Sequence, residues 1–255
     1  VTTIDEALEL CVLAGALLLG SNAEIDRTES TIAKMAKAVG MKEAEVFATP
    51  TGFVVTLEDQ NGNSKTQVRR ITNTGNNLSV LDEVNGVSRS LAQGKVSATE
   101  ARALLRAVSD KKPSHRGWIA LNVGIASGSI TYLLGGGLSD LGIVCLISMT
   151  AYLISAGLER VGRYRILSIA TGAVWITAWV LISSQFIEGL SIETDIVGAL
   201  MFYVPGITIT NGIRDITSGN LISGAARLLD ALLVALTLAF GVGLVLSLGT
   251  KVAIF

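Results

Sequence analysis

Leu141-Gly142-Ile143-Val144-Cys145-Leu146-Ile147-Ser148-Met149-Thr150-Ala151-Tyr152-Leu153-Ile154-Ser155-Ala156-Gly157-Leu158 contains no charged residue. At 1.5 Å per residue a helix of this length covers about 27 Å, close to the roughly 30 Å hydrocarbon core of a bilayer. Four further uncharged stretches lie around it, at 117–139, 166–187, 196–213 and 231–250. Backbone in hydrocarbon must satisfy its own N–H and C=O groups, so all five stretches read as helices. With their flanks they predict an α-helical membrane domain over 117–255, its five transmembrane helices at 117–139, 141–158, 166–187, 193–213 and 224–250.

Charge placement orients these helices. Lys111, Lys112, His115 and Arg116 precede the first span, Arg160, Arg163 and Arg165 lie between the second and third, and Arg214 and Arg227 flank the connection from the fourth to the fifth. The other two connections carry only Asp140 and the trio Glu188, Glu193 and Asp195. Basic residues gather on the cytoplasmic side, which places residues 1–116 inside and Phe255 outside a bacterial inner membrane.

Residues 1–116 have a soluble composition, with fourteen basic and fourteen acidic residues. The run Leu10–Leu19 follows Asp5, Glu6 and Glu9 rather than a basic segment and is too short to span, so it predicts a buried core helix, not a signal peptide. Ile4, Leu8, Cys11, Val12, Gly15, Leu18 and Leu19 follow helical spacing, and Leu10, Leu13 and Leu17 add a second apolar face. A second helix is expected from Ala23 to Val39, stopped by Gly40. The period then changes to two: Phe53, Val55 and Leu57 alternate with Val54, Thr56 and Glu58, Asn61-Gly62 marks a hairpin turn, and Lys65–Ile71 returns. Ala44–Ala48 is a third strand. Helices follow at Leu78–Gln93 and Ser97–Val108, the latter opened by the capping box Ser97-Ala98-Thr99-Glu100. The expected fold is an N-terminal cytoplasmic α+β domain over 1–110, ordered α-α-β-β-β-α-α, a linker over 111–116 containing Pro113, and the membrane domain.

Motifs for chemistry are sparse. His115 is the only histidine, and Cys11 and Cys145 fall in a core helix and a membrane span, so neither a zinc site nor a disulfide framework is expected. Ser114-His115 are adjacent, which rarely provides nucleophile–base geometry, and neither a nucleophile elbow nor a phosphate-binding glycine loop occurs. An enzyme would have to combine Glu24, Arg27 or Glu29 with His115. No cofactor and no nucleic-acid partner are expected, and membrane lipid is the surrounding partner.

The fourth uncharged stretch holds Pro205-Gly206 near its middle. Proline lacks a donor and clashes with the preceding turn, and glycine tolerates almost any backbone angle, so the helix should kink or break there. Such a break is either a packed kink or the lining of a polar cavity. Thr208, Thr210, Asn211, Arg214 and Asp215 follow it and favour a solute site, making Pro205, Gly206, Thr208, Thr210, Asn211 and Arg214 the candidate substrate-binding residues. Arg227 and Asp230 share a face at i, i+3. They either anchor a helix end or join Asp215 as candidates for proton coupling. Gly124 and Gly128 form a Gly-x-x-x-Gly pair that permits close helix contact.

Several of these segments together resemble the threonine/serine exporter family, in particular its split form, in which a larger subunit works beside a smaller, separately encoded membrane subunit. The segments are Gly20-Ser21-Asn22-Ala23-Glu24-Ile25-Asp26-Arg27-Thr28-Glu29, Ala48-Thr49-Pro50-Thr51-Gly52, and Pro205-Gly206 followed by Asn211-Gly212-Ile213-Arg214-Asp215. The resemblance implies efflux of small polar metabolites driven by the proton-motive force: threonine and serine in the named members, succinate-like dicarboxylates in the split type. Fused members carry twice the spans read here. A five-helix unit that starts inside ends outside, so a partner of four or five spans would supply the inverted half with which many secondary transporters build two gates. A membrane-anchored ligand-sensing protein is the alternative.

Overall fold

A computed structural model describes residues 2–72, 74–111, 114–162 and 164–251. Two linker residues, 112 and 113, and the C-terminus at Phe255 lie outside that set. Ten helices and three strands occur among the described residues. They are α1 (Ile4–Gly20), α2 (Ile25–Ala38), β1 (Glu43–Thr49), β2 (Gly52–Glu58), β3 (Ser64–Arg70), α3 (Leu78–Ala92) and α4 (Ala98–Ser109), then α5 (Arg116–Leu133), α6 (Leu138–Gly162), α7 (Arg165–Phe186), α8 (Ile192–Leu200), α9 (Gly206–Thr217) and α10 (Leu221–Lys251). The chain divides into two compact units, residues 1–112 with 206–230, and residues 113–205 with 231–255.

In the first unit α1 is the central element. Its leucines point to several sides at once, and Ala7, Leu10, Cys11, Ala14 and Leu18 are fully buried. Each buried leucine removes enough apolar surface from water to contribute about 1.5–3 kcal/mol. Thr3 and Glu6 close a capping box at its start, and Ser97 and Glu100 close another on α4. Gly40, at φ +90°, stops α2 where a side chain would be strained. The three strands form an antiparallel sheet in the order β1-β2-β3, with Val55 opposite Val46 and Gln67. Only one face is covered: Phe53, Val55 and Leu57 are buried against α1 and α2, whereas every residue of β3 is exposed. Residues 206–230, which hydropathy places with the membrane helices, pack into this unit.

In the second unit α5 and α6 approach closely through the glycine pair. A Cβ at Gly124 would lie 2.5 Å from the Cys145 carbonyl oxygen, and one at Gly128 would lie 2.5 Å from that of Leu141. Val144, Ala151, Ala173, Ile176, Val180, Ala199 and Val234 form the apolar centre.

Three helices are long and apolar enough to cross a membrane, within Leu138–Arg160, Arg165–Phe186 and Leu221–Gly249. The other two expected spans differ for physical reasons. α5 is eighteen residues long and interrupts its apolar run with Asn122, Ser127, Ser129 and Thr131. The fourth stretch is two helices, α8 and α9, separated at Met201–Pro205, where tight turns such as Tyr203 N–H to Leu200 O replace the helical pattern. Nine residues of α8 reach about 14 Å, half of a bilayer core.

Candidate functional site

Within the first unit, the turn between α1 and α2 meets α9 and the beginning of α10. Asn22 has the only positive φ of any non-glycine residue described, +63°, a region that asparagine tolerates better than most residues. Its carbonyl accepts from Asn211 Nδ2 (2.9 Å), its Nδ2 donates to Asn76 Oδ1 (2.8 Å), and its Oδ1 accepts from Arg227. Arg227 Nη2 donates to the Ala23 carbonyl (2.6 Å). Glu24 forms an ion pair with Arg214, and Asp26 accepts from Asn220.

Asp215 joins these elements. Its Oδ1 accepts the Ile25 N–H at 3.1 Å, capping α2, whose own N-cap residue Glu24 makes no side-chain cap bond. Its Oδ2 lies 2.9 Å from Arg227 Nε. That N–H is not directed along the N–O line, so the contact is an ion pair rather than a linear hydrogen bond, and neither atom has another hydrogen-bond partner among the described residues. Burial pushes the Asp215 carboxyl above its ordinary value, with the Ile25 N–H and Arg227 acting against the rise. Nearby, Glu29 accepts the Ala48 N–H at 2.8 Å and is also pushed upward, mainly by burial. Ser223 Oγ approaches the Ala48 carbonyl at 3.5 Å.

A cavity of about 140 Å³ opens at this junction, lined by Asn22, Glu24, Arg27, Asn76, Asn85 and Asn211 with Leu18, Leu81 and Ile207 behind them. A cavity of 150 Å³ holds a molecule the size of benzene. All four amides are engaged, Asn22 with Asn76 and Asn211 with the Asn22 carbonyl, and Asn85 donates to the Leu81 carbonyl at 2.6 Å. Glu24 provides a negative group already bridged to Arg214, and Arg27 provides a guanidinium with no ion pair among the described residues.

Of the candidates named from sequence, Asn211, Arg214, Asp215 and Arg227 come together here. Gly206 starts α9 and Pro205 ends the first segment of the second unit. Thr208 is half-buried, Thr210 is exposed and returns its hydroxyl to the Gly206 carbonyl at 3.0 Å, and Asp230 is half-buried. Asn76 and Asn85 were not legible as site residues, because one lies in an irregular segment and the other is a single polar residue on an amphipathic helix. The three segments that carry the family resemblance are bonded to one another: Asn211 and Asp215 reach Asn22 and Ile25 across 189 and 190 positions, and Glu29 reaches Ala48 across 19.

Three helices long and apolar enough to cross a bilayer are the mark of a multi-pass membrane protein. Residues 9–249 match the ThrE family, described as "Putative threonine/serine exporter", and the chain belongs to that family. It is 25% identical over 244 residues to the "Probable succinate transporter subunit YjjP" of Escherichia coli, covering 94% of this chain and 92% of that protein. It is 22% identical over 246 residues to the "Probable threonine/serine exporter" of Mycobacterium tuberculosis, covering 95% of this chain but 46% of that relative. A Schizosaccharomyces pombe protein, C16A10.01, is 28% identical over 197 residues, 69% of this chain and 22% of its own length. The chain therefore spans less than half the length of two of these three relatives. No solved structure shows a significant match.

Proposed function

We propose that this protein is one subunit of a secondary exporter of small polar metabolites, with threonine or serine as its solute and the proton-motive force as its drive. The observation that carries the solute class is the cavity at the α1–α2 junction. Its amides offer donors and acceptors in several directions, and it holds one acidic and one basic side chain. A zwitterion matches that set: its ammonium faces Glu24 and its carboxylate faces Arg27, in charge-assisted hydrogen bonds. A C4-dicarboxylate would bring a second carboxylate towards Glu24, which disfavours it, although the similarity to a relative named as a succinate transporter subunit keeps that substrate as the second reading.

In this account the first unit, α9 included, is cytoplasmic, the inner membrane holds α5, α6, α7 and α10 and, over part of its depth, α8, and a separately encoded subunit supplies the inverted half. The near-complete coverage of a relative named as a subunit supports the partner. A sensing role for the first unit is the competing view, favoured by the cavity's lying wholly in that unit.

Titration calorimetry of the purified protein with L-threonine, L-serine and succinate tests the solute class. Threonine and serine should bind, and Arg27→Gln should weaken them about tenfold or more, the factor set by a charged hydrogen bond of about 1.5–3 kcal/mol. Binding of succinate alone would overturn the zwitterion assignment.

A further inference from the structure

The second unit contains two buried carboxylates that no role described so far employs. Asp140 lies in the first turn of α6 and is 1% exposed; Asp195 lies on α8 and is 0% exposed. Asp140 Oδ2 accepts the Gly137 N–H at 2.8 Å. The other three carboxylate oxygens, Asp140 Oδ1 and both of Asp195, have no hydrogen-bond donor among the described residues.

Packing around Thr131 brings the beginnings of α6 and α8 to one place on α5. A Cβ on Gly198, one turn beyond Asp195, would lie 1.9 Å from Thr131 Oγ1. A Cβ on Gly136 would lie 3.0 Å from both Thr131 Cγ2 and Asp140 Oδ2. Asp140 and the α8 turn that carries Asp195 thus both border Thr131 of α5. Thr131 cannot serve as donor to either, because its hydroxyl is directed to the Ser127 carbonyl at 3.1 Å, and Ser127 Oγ is itself buried and without a partner.

No cation compensates the pair among the described residues. Residues 117–159 and 166–213 contain no Lys, Arg or His. The basic residues of the elements packed against α8 stand at helix ends: Arg116 is fifteen residues before Thr131, about 22 Å along α5, and Arg160 is twenty after Asp140, about 30 Å along α6. Arg165 opens α7, at the end opposite the connection to α8. The other titratable groups of these elements and of α8 are Tyr132, Glu188 and Glu193, which are exposed, and Cys145, Tyr152 and Glu159 on α6.

We propose that Asp140 and Asp195 form a proton-binding pair, with one proton held between the two carboxyl groups and exchanged once per transport cycle. Burying one carboxylate costs several kcal/mol, and two neighbouring like charges cost more. A shared proton leaves one negative charge and gives an orphaned oxygen a donor. A hard metal cation fits poorly, since it takes six to eight oxygen ligands and no cluster of three metal-ligating side chains occurs among the described residues. The pair sits where the acidic connections lie, so a proton arrives from the side carrying exposed Glu188 and Glu193 and leaves towards the side of Arg116 and Arg160, opposite in direction to the exported solute. The transport half of the proposal rests on the exporter reading; the proton-binding half does not.

Infrared difference spectroscopy of the full chain in lipid nanodiscs, from acidic to alkaline buffer, reads the proton directly. The pair predicts a carboxylic-acid C=O band that persists at neutral pH, disappears in the Asp140→Asn/Asp195→Asn double variant and remains in Glu193→Gln. In proteoliposomes with the partner subunit, Asp195→Asn should lower ΔpH-driven export at least tenfold relative to counterflow exchange. A neutral-pH spectrum without the band, a band undiminished in the double variant, or its removal by sodium at constant pH would overturn the pair. Equal effects of Asp195→Asn on driven export and exchange would overturn its coupling role. If the band behaves as stated and no solute exchanges, the exporter reading fails and the proton-binding pair stands; if exchange proceeds without the band, the pair fails and the exporter reading stands.

Discussion

Asp215 and Arg227 form an ion pair with 2.9 Å between Oδ2 and Nε, their side chains 2% and 4% exposed. The same aspartate caps α2 through Ile25, and the same arginine holds the Asn22–Ala23 turn, so one buried pair ties α9 and the start of α10 to the turn that shapes the cavity.

Breaking that pair from one side leaves a buried charge without its counter-ion. Asp215→Ala should destabilise the first unit by about 3–5 kcal/mol. The Asp215→Leu/Arg227→Met double variant should recover much of the loss, because no isolated charge then remains in the interior. Denaturation of the purified variants checks both, and an Asp215→Ala protein as stable as the parent would show that the pair contributes nothing.

Helix contact through Gly124 and Gly128 makes a steric forecast. Even alanine at Gly128 brings a Cβ to 2.5 Å from the Leu141 carbonyl oxygen, a backbone atom that cannot rotate away. Gly128→Ala should lower stability by about 1–3 kcal/mol and Gly128→Leu by more. Alanine at Gly142, where a Cβ meets nothing within 4 Å, should be tolerated. Thermal unfolding in detergent distinguishes the three.

Glu29 predicts a pH dependence of known sign. Burial raises its folded-state value above the ordinary 4.5, so the fold favours the neutral acid. Its contribution is fully present below the unfolded value and is lost as pH rises through the raised folded one. Glu29→Gln keeps an oxygen for the Ala48 N–H and removes the charge. The variant should therefore melt higher than the parent at neutral pH, with the difference vanishing near pH 4. An unchanged difference across that range would show that the carboxylate is not disfavoured.

Much of the fold was legible because its signals are periodic and local. The leucine run from Leu10 to Leu19 lacks a basic lead and covers two faces, and it became the core of the first unit. Asn61-Gly62 marked its hairpin, Ser97 and Glu100 marked a helix start, and Gly124 and Gly128 marked a close crossing. Hydropathy was a weaker guide to α9. Ile207, Ile209 and Ile213 make that segment look like half of a membrane span, yet Asn211, Arg214 and Asp215 on its other side bond to α1–α2 residues nearly 200 positions earlier. A window average cannot register a tertiary hydrogen bond. For the same reason sequence named Asp215 and Arg227 separately, whereas the structure pairs them with each other. Asp140 and Asp195 looked like ordinary loop acids because nothing in their local sequence announces burial.

The most direct test of the exporter account is counterflow in proteoliposomes containing this chain and the small membrane subunit that the account proposes, with labelled threonine and succinate offered separately. The account predicts threonine exchange that falls tenfold or more in Arg27→Gln and weakens in Asn211→Ala, with slower succinate exchange. Succinate exchange faster than threonine, or wild-type threonine exchange in both variants, would contradict it.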